Sequence, residues 1–224
     1  MKKKKQKIFN LNLALIIISI CLLISIILNI YIYNNKSNNY IVDENIVFFG
    51  DSITNKYKVE EFFPNNHVIN SGISGDGSED LLKRMDDVYK YNPSKVFLLI
   101  GINDLNHDIK ENDLLNNIQK IINGIKANRK YTKIYVESIY PINRNTFNDK
   151  DYSFNENVTN DTIKEFNKKL KNLCRENEIT YIDVYSKLLD SDGNLKDIYT
   201  IEGLHLNDLG YYKVTSSIIN EVKN

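Results

Sequence analysis

Four short segments of the sequence carry side chains that could perform nucleophilic catalysis. Three of them follow apolar runs of strand length, and the fourth stands near the C-terminus. Together they contain a serine hydroxyl, an imidazole with a carboxylate three residues before it, an amide side chain and several glycines. Acyl transfer to a serine needs a nucleophile, a base, a group that orients the base, and donors for an oxyanion. The segments are Gly50–Thr54 (GDSIT), Asn70–Asp76 (NSGISGD), Gly101–Leu105 (GINDL) and Glu202–Asn207 (EGLHLN).

The candidate nucleophile is Ser52 and the candidate base is His205. A serine that follows a strand is often a helix N-cap, and both roles are compatible because the hydroxyl would lie at the positive end of the helix dipole. His205 differs from the other two histidines because it has a carboxylate, Glu202, three residues before it. His67 and His107 lie in polar stretches and are expected on the surface.

Gly72 and Asn103 are the candidate donors to an oxyanion. A glycine lets its backbone N–H approach a ligand because no Cβ is in the way, which favours Gly72 as a donor over the alternative of a plain turn residue. Asn103 directly follows an apolar strand and a glycine, which favours an active-site amide over a buried amide that ties loops together. The N–H of Ser52 itself would complete the set.

Metal and disulfide chemistry are not indicated. The Glu202–His205 pair could be half of a metal site, but no second ligand pair accompanies it. Asp190–Asn194 (DSDGN) lacks the spacing and the closing Glu of a calcium loop, so a turn is predicted there. Two cysteines, Cys21 and Cys174, cannot form a disulfide framework. We therefore expect neither a metal nor a cofactor.

Apolar runs alternate with segments of helical spacing along the body of the chain. Near-continuously apolar strands that alternate with helices predict a parallel sheet covered on both faces, whose ligands bind beyond the carboxyl ends of the strands. The predicted strands are Ile46–Phe49, Val68–Ile69, Val96–Ile100, Ile134–Val136 and Ile179–Val184. The predicted helices are Ser78–Tyr91, Asn112–Asn128, Thr159–Asn177 and Asp208–Val222.

The four segments, in this order, resemble the motif blocks of the SGNH hydrolases, also called the GDSL esterase/lipase family. The similarity covers Asn45 to Tyr212 and is strongest to the branch of platelet-activating-factor acetylhydrolase-like esterases. It implies a flavodoxin-like three-layer α/β/α sandwich with a five-stranded parallel sheet. It also implies that Ser52 is the nucleophile and His205 the base, with Ser52, Gly72 and Asn103 forming the oxyanion hole.

Glu202 departs from the family pattern, in which this position is usually Asp. Glu is one methylene longer, and its carboxylate must still reach Nδ1 of His205 to orient the imidazole. Glutamate serves as the acid of some triads on other folds. If Glu202 did not reach, His205 would rely on a backbone carbonyl, and Ser52 and His205 would act as a dyad.

The N-terminal region has the features of a membrane anchor. Lysines occupy five of the first seven positions, and no further charge follows until Lys36. Leu13–Tyr33 is a predominantly apolar run that, as a helix at about 1.5 Å per residue, would span roughly 30 Å. A cleaved signal peptide is the alternative, but the run is longer than usual and no small-x-small cleavage site follows. A lipoprotein signal at Cys21 is disfavoured because Ile20 stands where a small residue is expected.

The predicted organisation is therefore a cytoplasmic basic segment (1–7), a transmembrane anchor (8–33), a linker (34–42) and one hydrolase domain (43–224) outside the cell. The linker reaches at most about 30 Å at about 3.3 Å per residue, which keeps the domain near the membrane. Without the five N-terminal lysines, 24 Lys and Arg face 29 Asp and Glu, a net charge of −5. An acidic body without a basic stripe is a poor nucleic-acid binder.

The predicted function is hydrolysis of short-acyl, O-acetyl-type esters on carbohydrate or other small polar substrates. The segment Pro141–Val158 is polar with scattered aromatic residues, which suits a sugar better than a long acyl chain. A lysophospholipase, an O-acyltransferase to an envelope glycan and a non-enzymatic binding domain remain as alternatives. An α/β-hydrolase is disfavoured because the sequence contains no G-x-S-x-G. The sequence leaves the oligomeric state open.

Overall fold

The computed structural model describes residues 17–31, 43–147 and 154–223, which divide into two units. In the first unit, residues 17–31 form one helix, α1, whose side chains are exposed. Across the described ranges, no helix is both long enough and apolar enough to cross a bilayer. Residues 8–16, 32 and 33 of the predicted anchor lie outside these ranges, as do the basic segment and the linker.

The second unit is built on a parallel sheet of five strands in the order β2-β1-β3-β4-β5. All five predicted strands are present. The register places Phe48 beside Phe97 and Phe97 beside Tyr135, and their rings stack with centroids 4.9 Å and 4.7 Å apart. The strands are β1 (Asp43–Gly50), β2 (Val68–Gly72), β3 (Pro93–Leu99), β4 (Lys133–Glu137) and β5 (Thr180–Ile182).

Helices cover both faces of this sheet. Successive side chains of a strand point to opposite faces, so Phe48 and Phe49 identify what packs on each. Phe48 contacts the rings of Tyr57 and Phe63, whereas Phe49 lies under the guanidinium of Arg84. The helices are α2 (Ser52–Asn55), α3 (Val59–Phe62), α4 (Ser78–Lys83), α5 (Asp86–Tyr89), α6 (Ile102–Asn106), α7 (Glu111–Asn128), α8 (Asn160–Glu176), α9 (Tyr185–Leu188) and α10 (Asp208–Lys223).

The prediction of one continuous helix over Ser78–Tyr91 was wrong. The structure has two short helices, α4 and α5, because the chain leaves helical geometry at Arg84. The Arg84 side chain turns inward, pairing with Asp76 at 2.6 Å and donating to the carbonyls of Ser71 at 3.0 Å and Gly50 at 2.9 Å. The helix is therefore interrupted at Arg84, and the side chain of this residue links the carboxyl ends of β1 and β2.

Candidate active site

Ser52 is placed by the turn from β1 into α2. Asp51 is the N-cap of α2, and its Oδ1 accepts a hydrogen bond from the N–H of Ile53 at 2.9 Å. Ser52 is therefore the first residue of a helix that begins at the carboxyl edge of the sheet, and it is 8% exposed. A hydroxyl at this position experiences the positive end of the helix dipole, which favours its ionised form.

His205 lies in a tight loop between β5 and α10. The loop is closed by hydrogen bonds on its own backbone: the Ile201 N–H donates to the carbonyl of His205 at 2.9 Å. The Thr200 hydroxyl donates to the same carbonyl at 2.8 Å and accepts from the N–H of Gly203 at 2.7 Å. These bonds fix the part of the chain that carries both Glu202 and His205.

The structure brings Ser52, His205 and Glu202 into one hydrogen-bonded row. His205 Nε2 lies 2.9 Å from Ser52 Oγ, and Nδ1 on the other side of the ring contacts Oε1 of Glu202. Oε1 also accepts from the backbone N–H of His205 at 3.2 Å. The longer glutamate side chain therefore does reach the imidazole. In this arrangement Nδ1–H donates to Glu202 and Nε2 accepts from the Ser52 hydroxyl.

The surroundings of His205 favour the neutral form of its imidazole. Burial lowers the pKa of His205 below its ordinary value, and the nearby Lys56 ammonium acts in the same direction. The Glu202 carboxylate opposes this shift, both by its charge and by its hydrogen bond. A neutral imidazole can accept the proton of the Ser52 hydroxyl.

This electrostatic arrangement predicts the pH dependence of ester hydrolysis. A base must be unprotonated to act, so kcat/KM is expected to be full at neutral pH and to fall in acid with a midpoint below 6.5. A pH–rate profile on a short-acyl ester measures this midpoint. Glu202→Gln removes the opposing carboxylate and is expected to move the midpoint further down. A wild-type midpoint above 6.5 would contradict the burial effect.

Asn103 lies in the first turn of α6, directly after β3. Its Nδ2 donates to the carbonyl of Asp76 at 2.9 Å, which ties it to the loop that follows β2. Asp104 strengthens the same connection because its carboxylate accepts from the N–H of Ser78 at 3.0 Å. The second N–H of the Asn103 amide makes no hydrogen bond within the described ranges, so it is available to a ligand.

The N–H of Gly72 is not available as an oxyanion donor, contrary to the sequence prediction. It donates to Oδ1 of Asn70 at 2.9 Å, inside the end of β2. Gly72 has a packing role instead, since a Cβ there would lie 2.2 Å from the backbone nitrogen of Asn55. The glycine thus allows α2, the helix that begins at Ser52, to pack directly against β2.

Gly75 offers the backbone donor that Gly72 does not. It has φ +89°, and in the described part of the chain its N–H has no hydrogen-bond partner. Its neighbours connect it to both sides of the site: Ser74 donates to Asn55 Oδ1 at 3.2 Å, and Asp76 accepts from Asn103. The sequence signal was the second glycine of NSGISGD, which could not be distinguished from the first by spacing alone.

Two further side chains, Asn70 and Asp51, support the site. Nδ2 of Asn70 donates to the carbonyls of Thr54 and Tyr57, both at 2.7 Å, and so fastens α2 to β2. Asp51 is 1% exposed, and its Oδ2 has no hydrogen-bond partner among the described residues. Burial raises the pKa of Asp51 to about 7, which reduces the negative charge beside Ser52 at neutral pH.

The turn predicted at Asp190–Asn194 is observed, with Asp190 Oδ1 accepting from the N–H groups of Asp192 and Asn194 at 2.9 Å and 2.8 Å. Within residues 17–31, 43–147 and 154–223, no three His, Cys, Asp or Glu side chains cluster closely enough to hold a metal ion.

A serine, an imidazole and a carboxylate in one row at the carboxyl edge of a parallel sheet define a serine hydrolase-type site. Comparison with known proteins identifies the family. The model of the GDSL-like lipase/acylhydrolase family matches residues 48–213, and the chain belongs to this family. The chain is accordingly an acylhydrolase-family enzyme, as its sequence motifs predicted.

Solved structures agree with this assignment. A protein from Streptococcus pneumonia, named for platelet activating factor, is 30% identical with a TM-score of 0.73, over 85% of this chain and 89% of that one. A protein from Bacteroides fragilis described as an acylhydrolase is 25% identical with a TM-score of 0.70, over 84% of this chain and 93% of that one.

Among curated proteins, an N-acylneuraminate cytidylyltransferase from Escherichia coli O18:K1:H7 is 30% identical over 85% of this chain. A protein of the same name from Streptococcus agalactiae serotype III is 28% identical over 73% of it. The chain spans only 43% and 36% of the length of these two relatives. The similarity therefore concerns a part of each relative.

Proposed function

We propose that this protein is a membrane-anchored serine esterase that removes short acyl groups, of which acetyl is the simplest, from carbohydrate or other small polar alcohols. The observation that carries the proposal is the 2.9 Å contact between Ser52 Oγ and His205 Nε2, with Glu202 on the opposite ring nitrogen. These groups occur in a chain of the acylhydrolase family.

In the proposed reaction, Ser52 Oγ attacks the ester carbonyl while His205 Nε2 takes the hydroxyl proton. The tetrahedral intermediate collapses when the imidazolium gives this proton to the leaving alcohol, which forms an acyl-enzyme. Water then attacks the acyl-enzyme, with His205 again as base, and releases the acid and free Ser52. Glu202 stabilises the imidazolium in both steps through its contact with Nδ1.

We assign the oxyanion donors to the N–H of Ser52, the N–H of Gly75 and the free N–H of the Asn103 amide. Ser52 N–H lies at the start of α2, where a helix leaves its first donors unpaired, and it has no hydrogen-bond partner among the described residues. Gly75 and Asn103 are linked through Asp76, whose carbonyl accepts from Asn103 at 2.9 Å. Each such donor typically contributes about 2.7–4 kcal/mol to the stabilisation of the transition state.

The choice of a sugar-like alcohol rests on the sequence of Pro141–Val158, which is polar with scattered aromatic residues. A polar cavity of about 340 Å³ that is lined in part by Arg144, Asn160 and Lys164 does not support this choice, because its lining does not include Ser52 or His205. The name of the curated relatives, which refers to an N-acylated sugar acid, points to the same class of compound.

Membrane attachment is proposed from the N-terminal sequence. The apolar run Leu13–Tyr33 is preceded by five lysines, and by the positive-inside preference these lysines stay in the cytoplasm. The hydrolase domain then lies outside the cell, tethered by the linker 34–42. Substrates of this enzyme are therefore esters of the cell envelope or of its surroundings.

The proposal predicts which esters the enzyme prefers. On nitrophenyl esters of increasing acyl length, kcat/KM is expected to be highest for acetyl and to fall towards octanoyl, because a polar site gains little from a longer chain. O-acetylated sugars should be deacetylated, with free acetate as the product. A rise in kcat/KM with acyl length would instead indicate a lipid acylhydrolase, and transfer of acetyl to an added sugar would indicate an acyltransferase.

A further inference from the structure

Four large apolar side chains beside His205 point into solvent. Ile198 is 62% exposed, Ile201 65%, Leu209 61% and Tyr212 69%. All four lie within fifteen positions of sequence that contain Glu202 and His205. We call this set the apolar rim.

The residues of the apolar rim lie on elements that adjoin one another. The Asn207 side chain donates to the carbonyl of Ile198 at 2.9 Å, which places the 3₁₀ turn at Asp197–Tyr199 against the start of α10. Ile201 is bonded through its N–H to the carbonyl of His205 at 2.9 Å. Leu209 and Tyr212 line a shallow cavity of about 350 Å³ together with Phe62 and two acidic residues, Glu61 and Asp208.

The rim lies at the same edge of the domain as Ser52. Helix α10 begins three residues after His205 and runs to the opposite edge, where the Nζ of Lys95 donates to the carbonyls of Glu221 and Val222 at 2.8 Å. Leu209 and Tyr212 are in its first turns and so remain near the catalytic groups. Tyr131, which is 43% exposed and precedes β4, lies at the opposite edge of the sheet.

Contiguous exposed apolar surface on a folded domain marks a surface that binds something apolar. We propose that the apolar rim is a membrane-docking surface, which seats the mouth of the Ser52–His205 site on the bilayer that anchors the chain. This inference rests on the proposed esterase function and anchor. The linker of nine residues reaches at most about 30 Å, so for an anchored chain the bilayer is the apolar phase that stays within reach of the rim.

Docking of the apolar rim on the bilayer would also favour substrates that are located at the membrane surface. With the apolar rim in the headgroup region, the mouth of the site faces the membrane surface, so the preferred acylated alcohol is one displayed there, while small soluble esters still enter. The acyl group can still be short, because the rim contacts the lipid and not the scissile ester. Aromatic and aliphatic residues at a lipid–water interface commonly have such an anchoring role.

The chain contains no tryptophan, so one introduced tryptophan reports on its own surroundings. The experiment uses the full chain reconstituted in phosphatidylcholine–phosphatidylglycerol vesicles, with either ordinary or brominated acyl chains. Tyr212→Trp is expected to show blue-shifted emission and to lose most of it in brominated vesicles. The matched variant Tyr131→Trp, at the opposite edge, is expected to emit equally in both.

A second set of variants tests the rim directly. In the Tyr212→Trp background, Ile198→Asp with Leu209→Asp is expected to abolish the quenching, while hydrolysis of nitrophenyl acetate in detergent is retained. Equal quenching at positions 212 and 131, or none at either, would overturn the proposal. A blue shift at 212 that does not depend on bromine would also overturn it, because a protein partner or a second copy would then cover the rim.

Two controls test the membrane anchor and the esterase function separately from the docking of the apolar rim. Flotation of the full chain with the vesicles reports on the anchor, whatever the state of the rim. Hydrolysis of nitrophenyl acetate in detergent reports on the esterase function, whatever the state of the membrane. A chain that floats and hydrolyses but shows no quenching at position 212 disproves docking alone.

Discussion

Replacing Ser52 with alanine is expected to lower kcat by a factor on the order of 10⁶, with little change in KM. The variant lacks the oxygen that attacks the carbonyl, and the remaining oxyanion donors and binding contacts supply only a small residual rate. The fold should be retained, since the Asp51–Ile53 cap of α2 does not use the Ser52 hydroxyl. Kinetics on a nitrophenyl acetate substrate, with circular dichroism as the folding check, measure the effect.

Covalent labelling provides an independent measurement of the same residue. A fluorophosphonate probe is expected to modify Ser52 in the wild-type chain and to leave Ser52→Ala unlabelled, as read by mass spectrometry of the peptides. Ser216→Ala is the matched control, because Ser216 is exposed on α10 and its hydroxyl donates only to the carbonyl of Lys213. Labelling of a different serine, or activity retained by Ser52→Ala, would refute the assignment.

Glu202→Gln is expected to lower kcat by a factor on the order of 10⁴ at neutral pH. The amide keeps the size of the side chain and can still accept the backbone N–H of His205. It removes the charge that stabilises the imidazolium formed when Ser52 loses its proton. Because this loss occurs in the transition state, kcat and kcat/KM should fall together. Glu176→Gln, at the exposed end of α8, is the matched control.

Glu202→Asp tests whether the loop is fitted to glutamate. The loop is held by the Thr200 and Ile201 bonds to its backbone and by the N–H of Asn143, which donates to the carbonyl of Gly203 at 2.7 Å. A loop so restrained cannot follow a carboxylate that is one methylene shorter. Aspartate is therefore expected to be worse than glutamate, by about 100-fold for a misplacement of that size. Near-full activity in Glu202→Gln would leave a Ser52–His205 dyad as the mechanism.

Much of the fold was predictable from the sequence because the apolar pattern of a parallel sheet is local. Runs such as Ile46–Phe49 and Val96–Ile100 are buried on both faces, so their composition alone indicates strands, and all five were observed. The long helices α7, α8 and α10 were also predicted to within a residue or two of their observed ends. The single helix predicted over Ser78–Tyr91 was not observed. It is interrupted at Arg84, whose side chain bonds to β1 and β2, and such long-range contacts cannot be predicted from the local apolar pattern.

The catalytic groups were recognisable for a related reason. Ser52, His205, Glu202 and Asn103 each follow a strand or precede the last helix within short motifs of distinctive composition, so residue type and order were enough to select them. The backbone N–H that is proposed as an oxyanion donor could not be identified from residue type and order. Gly72 and Gly75 stand three positions apart in one loop, and both are compatible with a turn.

By itself, then, the sequence indicated the succession of strands and helices along the chain, the family, and the serine, histidine and asparagine proposed as nucleophile, base and oxyanion donor. Only the tertiary structure decided three further points. It showed that the glutamate carboxylate reaches the imidazole and that the Gly72 N–H donates to Asn70, whereas that of Gly75 has no partner among the described residues. It also showed that four apolar side chains close in sequence to His205 are exposed. The physical reason is the same in each case. Side-chain reach, the partner of a backbone N–H and the continuity of a surface depend on segments far apart in sequence, whereas strand composition and motif order do not.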